Sequence, residues 1–198
     1  LVTGLQKQEI SEPTPIQVEA LPLLLAGRSV YLHSETGTGK TLAYLLPLFC
    51  RINPTLKATQ AIVLAPSHEL AIQIHRAASL LAQNSGMLVT SALIIGGAGM
   101  TRQIDKLKKK PSIVIGSPGR ILDLMGMNKL KPKGLATIVI DEADRMLGRD
   151  SLNLVRRIVE AATAGRQLIF ASATERPECT REAQALAGAL GPFGGRSE

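Results

Sequence analysis

Ser34-Glu35-Thr36-Gly37-Thr38-Gly39-Lys40-Thr41 puts an ammonium, a hydroxyl and glycine-relieved backbone amides between a short apolar run and an apolar helix. These residue types in this order make a phosphate loop. Gly37 and Gly39 let successive N–H groups of the segment Ser34, Thr36, Gly37, Thr38, Gly39 close around a di- or triphosphate at a helix N-terminus, where the macrodipole also favours anions. Lys40 would neutralise the β- and γ-phosphates, and the Thr41 hydroxyl would ligate Mg²⁺. The usual pattern opens with Gly; here Ser34 stands there, and a small residue fits the position.

A second acidic constellation, Asp141-Glu142-Ala143-Asp144, follows a later apolar run. A carboxylate at a strand end, on the sheet edge that carries the phosphate loop, can hold Mg²⁺ on the far side of the phosphates, and Asp141 is that candidate. Glu142 is then free to orient and deprotonate an attacking water. The expected catalytic set is Lys40, Asp141 and Glu142, with Thr41 and Asp141 facing the metal. An acidic helix N-terminus would explain the same carboxylates without function, but beside a phosphate loop that is the weaker reading. Near the start, Thr14 and Gln17 form a capping box with Pro15 at the first helical position. The Gln17 amide can also read an edge of adenine, and spacing leaves both readings open. His33 and His75 lack ligand-spaced partners, so packed or surface roles suit them.

These groups need a scaffold that brings distant loops together. Short β-rich apolar runs recur at Ser29 to Leu32, Ala61 to Ala65, Leu88 to Ile95, Ile113 to Ile115, Thr137 to Ile140 and Leu168 to Ala171. Between them, helical spacing marks Ile16 to Ala26, Lys40 to Ile52, Leu70 to Gln83, Arg120 to Met125 and Leu152 to Ala162. The alternation predicts an α/β fold: a mostly parallel sheet with helices on both faces, its ligands held in the loops at the carboxyl edge. The last residues, 191–198, are rich in Gly and read as a linker or disordered tail, leaving 1–190 as one domain.

With 198 residues, 45% hydrophobic and 20% charged, the composition is that of one folded domain and excludes a disordered or collagen-like chain. The longest apolar stretch, Leu42 to Cys50, contains Pro47 and falls far short of the ~18 residues that span a bilayer, so no membrane partner is expected. Two distant cysteines suit an intracellular, reducing compartment. The net charge of +7 suits a polyanion, with solubilising charge as the plain alternative. Only five aromatic residues and no Trp are too few to stack successive bases, so nucleic acid would be held by phosphates and sugars. Basic clusters at Arg102, Lys106, Lys108, Lys109 and Lys110, and at Lys129, Lys131 and Lys133, read as solvated faces.

Taken with Ser172-Ala173-Thr174, the phosphate loop, the Asp141 to Asp144 run and the Pro13 to Gln17 segment resemble the DEAD-box ATP-dependent RNA helicases, in order and spacing, from Pro13 to Thr174. The resemblance covers the first of that family's two RecA-like domains and implies a P-loop fold that binds ATP, Mg²⁺ and RNA. It implies that Gln17 reads adenine, and that Ser172 and Thr174, otherwise turn or cap hydroxyls, couple hydrolysis to strand separation. RNA would lie on Pro66, Ser67, Gly97, Ser117, Gly119 and Arg120. The second domain would supply arginine fingers, so this chain, expected to be monomeric and part of a longer protein, would bind nucleotide weakly and not unwind RNA. Another phosphate-loop motor or kinase, a nucleotide-gated RNA clamp without required hydrolysis, and a DNA substrate are the competing readings.

One departure from the family carries a consequence. His68 stands where the family's Pro-Thr-Arg-Glu-Leu-Ala element has arginine, and a largely neutral imidazole offers neither permanent charge nor forked donors to a phosphate. In single-strand RNA titrations against salt, His68→Arg should steepen the log–log slope by ~0.7; equal slopes would dismiss the lost contact.

Overall fold

Each of the six β-rich runs becomes a strand, because β-branched and leucine side chains on consecutive residues favour a sheet buried on both faces. A computed structural model of the chain describes residues 1–188, so the expected tail at 191–198 lies outside the described residues. The strands are β1 (Val30–His33), β2 (Ala61–Leu64), β3 (Ser91–Ile94), β4 (Ile113–Gly116), β5 (Thr137–Ile140) and β6 (Gln167–Ser172). They form one sheet in the order β1-β6-β5-β2-β4-β3, with every pair parallel. Six carboxyl ends therefore share one rim.

Residue parity decides which face a strand side chain enters. Val30, Leu32, Ala61, Val63, Ile113, Ile115, Val139 and Ile169 join one buried cluster, and Tyr31, Ile62, Leu64, Val114, Ile138, Ile140, Leu168 and Phe170 join the other. The first is closed by α2 (Pro15–Leu25), α3 (Lys40–Arg51) and α4 (His68–Ser85), with the short α1 (Val2–Gln6) against α4. The second is closed by α5 (Met100–Lys108), α6 (Pro118–Gly126), α7 (Ala143–Met146), α8 (Leu152–Ala161) and α9 (Pro177–Ala187). Both faces are covered, as the alternation predicts.

The differences from expectation are local. The run expected from Leu88 pairs only from Ser91, since Leu88 is 79% exposed. Helix α6 starts two residues earlier than its apolar spacing suggests, because Pro118 fills the first turn without needing a donor. Helix α5 is too lysine-rich to announce itself by apolar spacing, yet it buries Gln103 and Leu107 while its basic residues face solvent. No helix among the described residues is long and apolar enough to cross a membrane.

At Gly116, where β4 gives way to its functional loop, β3 approaches so closely that an added Cβ would lie 1.9 Å from the Ile94 carbonyl oxygen. Backbone cannot yield as a side chain can. Gly116→Ala should cost about 3 kcal/mol in urea unfolding. Gly119→Ala, whose methyl group meets open space in α6, should instead be neutral or gain up to about 1 kcal/mol.

Candidate nucleotide and nucleic-acid site

The parallel order divides the rim into two contiguous halves. Loops after β1, β6 and β5 carry the phosphate loop, Ser172-Ala173-Thr174 and Asp141 to Asp144. Loops after β2, β4 and β3 carry Pro66 and Ser67, Ser117 to Arg120, and Gly96 and Gly97. Every expected site residue except Gln17 is thus placed at this rim by the strand or helix end next to it.

The phosphate loop is bound to its neighbour strand. Ser34 N–H donates to the Ser172 carbonyl at 3.2 Å, extending the β1–β6 ladder by one rung. Inside the loop, Ser34 Oγ donates to Thr38 Oγ1 at 2.7 Å, and Thr38 Oγ1 donates to the Glu35 carbonyl at 2.7 Å. The Lys40 ammonium donates to the carbonyls of Ser34 and Glu35. Gly37 and Gly39 have φ of 85° and 93°, left-handed values that favour glycine. An added Cβ at Gly37 would meet nothing within 4 Å, so its backbone faces open space. Thr36 is exposed there too.

Gln17 reaches the same loop from α2. Its Oε1 accepts from Thr14 N–H at 3.1 Å, the Gln17 half of the expected capping box, while its Nε2 donates to the Gly39 carbonyl at 3.1 Å. A Cβ on Gly39 would come within 2.5 Å of that nitrogen. Thr14 Oγ1 is buried beside it and supplies the other half of the capping box. Next to Gln17 opens a cavity of about 290 Å³ between α1, α2 and α3, lined mostly by apolar side chains such as Leu5, Ile10, Leu42 and Leu46, with Gln6, Ser11 and Glu12 among them. That is an environment for a flat heterocycle with polar edges.

Asp141 follows β5 and is 6% exposed. Its N–H continues the ladder to the Leu64 carbonyl at 2.9 Å. Its Oδ1 accepts from Glu142 N–H and its Oδ2 from the Tyr44 hydroxyl, each at 2.8 Å. Burial pushes the Asp141 carboxyl up, against the pull of those two hydrogen bonds and of the Lys40 charge. Burial likewise lowers the Lys40 ammonium, while Asp141, Asp144 and Glu35 pull it back up. The two groups are electrostatic neighbours on one rim, as the chemistry of the loop requires.

Glu142, two residues beyond the end of β5, has φ 46°, a left-handed backbone that costs a non-glycine residue about 1 kcal/mol or more. Its Oε2 accepts from Arg145 at 2.8 Å, an exposed pair of small energetic weight. Ser172 Oγ donates to the Thr174 carbonyl at 2.7 Å, and Thr174 Oγ1 donates to Asp144 Oδ2 at 2.5 Å. The expected coupling residues therefore link the phosphate-loop strand to the acidic run. Among the described residues no group of three His, Cys, Asp or Glu could hold a metal alone. A divalent cation here would need Thr41, Asp141 and phosphate oxygens together.

On the other half, Ser67 caps α4, its Oγ accepting from Leu70 N–H at 3.2 Å. His68 is exposed at the start of α4, and a Cβ on Gly96 would lie 3.4 Å from its Nε2. Gly97 has φ 76° and, like Gly119, open space where a Cβ would be. Arg120 donates to Met100 Sδ at 3.3 Å and stays partly exposed. Two groups were not singled out for chemistry by sequence reasoning. Arg145 had a signal, three residues beyond Glu142; Tyr44 had only its place one turn after Lys40.

A family model described as DEAD/DEAH box helicase matches residues 14–181. The chain is similar to the DEAD-box ATP-dependent RNA helicase CshC of Bacillus cereus, 46% identical over 169 residues that cover 85% of this chain and 43% of that protein. It is 41% identical to the probable ATP-dependent RNA helicase YfmL of Bacillus subtilis, over 89% of this chain and 45% of that one. Among solved structures, a DEAD box protein from Methanococcus jannaschii superposes with a TM-score of 0.86 at 30% identity, covering 95% of this chain and 51% of the other. Saccharomyces cerevisiae dbp5, bound to nup159, gle1, ip6 and adp, superposes with a TM-score of 0.84 at 29% identity, covering 96% and 50%. The chain spans less than half the length of these curated relatives. The shared architecture is the RecA-like P-loop sheet expected from the sequence.

Proposed function

The chain belongs to the DEAD/DEAH box helicase family, and from that premise we propose that it is the ATP-binding half of an ATP-dependent RNA helicase. The observation that carries the reading is the meeting of Lys40 and Asp141 on one rim, each feeling the other's charge.

The residues fit a magnesium nucleotide. The free face of Gly37 and the mostly apolar cavity beside Gln17 offer a phosphate cradle and a base pocket. Lys40 would exchange the Ser34 and Glu35 carbonyls for phosphate oxygens. Thr41 and Asp141 would hold Mg²⁺, which when bound supplies charge neutralisation across the phosphates. Glu142 would accept a proton from the attacking water, its carboxylate steadied by Arg145. Gln17 has one amide N–H and one carbonyl lone pair beyond its bonds to Gly39 and Thr14, enough to meet an adenine edge. The adp in the dbp5 structure supports an adenine nucleotide.

RNA would lie along Pro66, Ser67, Gly97, Ser117, Gly119 and Arg120, held through its backbone, since the rim offers helix N-termini and hydroxyls. The Ser172–Thr174–Asp144 linkage would pass the state of the nucleotide half to the rest of the protein. Hydrolysis and strand separation would need a second RecA-like domain to add positive charge over the phosphates, which accords with this chain's share of its relatives' length.

The test is ATP turnover by the full-length protein with and without single-stranded RNA. RNA should stimulate turnover, Glu142→Gln should lower it by roughly 10²-fold or more, Lys40→Ala should abolish nucleotide binding, and this chain alone should show no RNA-stimulated turnover. Robust unwinding by the chain alone would refute the need for a second domain. Undiminished function in Glu142→Gln would favour a clamp over a motor.

A further inference from the structure

Tyr44 is wholly buried in α3, one turn beyond Lys40, among apolar neighbours that a phenylalanine would satisfy equally. A phenol placed in such a core loses its hydration unless its oxygen is used. It is used: the hydroxyl donates to Asp141 Oδ2 at 2.8 Å, across 97 residues of sequence. The other carboxylate oxygen is held by Glu142 N–H at 2.8 Å. The carboxylate assigned to the metal, Asp141, is thus held by a buried donor that neither the motif nor the resemblance includes.

We propose that Tyr44 is a positioning residue that fixes the Asp141 carboxylate for Mg²⁺-nucleotide; the inference rests on the reading of Asp141 as the metal-facing acid. With one oxygen held by a backbone N–H and the other by the phenol, the carboxylate cannot turn about its Cβ–Cγ bond without breaking both contacts. Each oxygen keeps a further lone pair for a cation. Outer donors of this kind set the orientation of metal-binding side chains, and their loss typically costs 10- to 100-fold in metal affinity. Lys40 and Tyr44, four apart, lie on one face of α3. The helix that presents the ammonium therefore also holds the acid, so the phosphate and metal contacts are built from one rigid piece.

Tyr44→Phe keeps the ring and removes only the oxygen. Binding of fluorescently labelled ADP to the 198-residue chain, measured in Mg²⁺ and in EDTA, separates the metal contribution from the rest. In EDTA the variant should bind within about twofold of the unaltered chain, while the gain on adding Mg²⁺ should shrink by about tenfold. No Mg²⁺ gain in the unaltered protein would sink the metal reading of Asp141, and this inference with it. A full gain retained by Tyr44→Phe would overturn the positioning role alone. Equal losses in Mg²⁺ and EDTA would also overturn it, by making Tyr44 a packing residue.

Discussion

The parallel ladder running β1-β6-β5 is the constraint from which the site follows. Register fixes His33 opposite Ser172 and Ile140 opposite Phe170, so the loops leaving these strands must emerge side by side. The Ser34 to Ser172 hydrogen bond extends that register past the strand ends into the functional loops. A cation at residue 40 and an acid at residue 141 are brought together by backbone pairing, before any side chain is chosen. Side chains then refine what the ladder imposes: Tyr44 toward Asp141, Gln17 toward Gly39, Thr174 toward Asp144.

The same order explains the division of labour along the rim. Because β5 pairs with β2 at the middle of the sheet, the loop carrying Asp141 and Glu142 is flanked by the phosphate side and by the loop carrying Pro66 and Ser67. The acidic run thus lies between the two halves of the rim. Burying Lys40 and Asp141 is unfavourable for each alone, as the displacement of both from their ordinary ionisation shows. Their mutual attraction and the fixed donors around Asp141 offset part of that cost.

Much of this was legible in the residues. Six strands could be read because apolar side chains on consecutive positions fit a sheet covered on both faces, and parity sorts them cleanly, Val63 to one side and Leu64 to the other. The phosphate loop, Asp141 and the capping of α2 by Gln17 could be read because their chemistry is local. What could not be read is what depends on distance. The strand order rests on crossovers whose destinations no local pattern encodes. The Tyr44 to Asp141 bond joins residues that no spacing relates, and Tyr44 reads as one more apolar residue in an apolar helix. Gln17 shows both limits at once: its bond to Thr14 is a local cap, whereas its bond to Gly39 needed the packing of α2 against α3. Helix α5 escaped for the opposite reason, since polar and charged residues on most of its surface, Thr101, Arg102, Asp105, Lys106 and Lys108, hide the few contacts that anchor it.

The claim beneath all of this is that one divalent cation, bound with nucleotide, sits between the phosphate loop and the end of β5. Mn²⁺ accepts the same oxygen ligands as Mg²⁺ and broadens the NMR signals of nearby nuclei, so amide spectra of the chain titrated with Mn²⁺ and ADP measure that location directly. The account predicts selective loss of signals from residues 36–41 and 141–142, with those at 66–67 and 117–120 weakened less. Broadening centred on any other part of the chain, or none when nucleotide is bound, would contradict it.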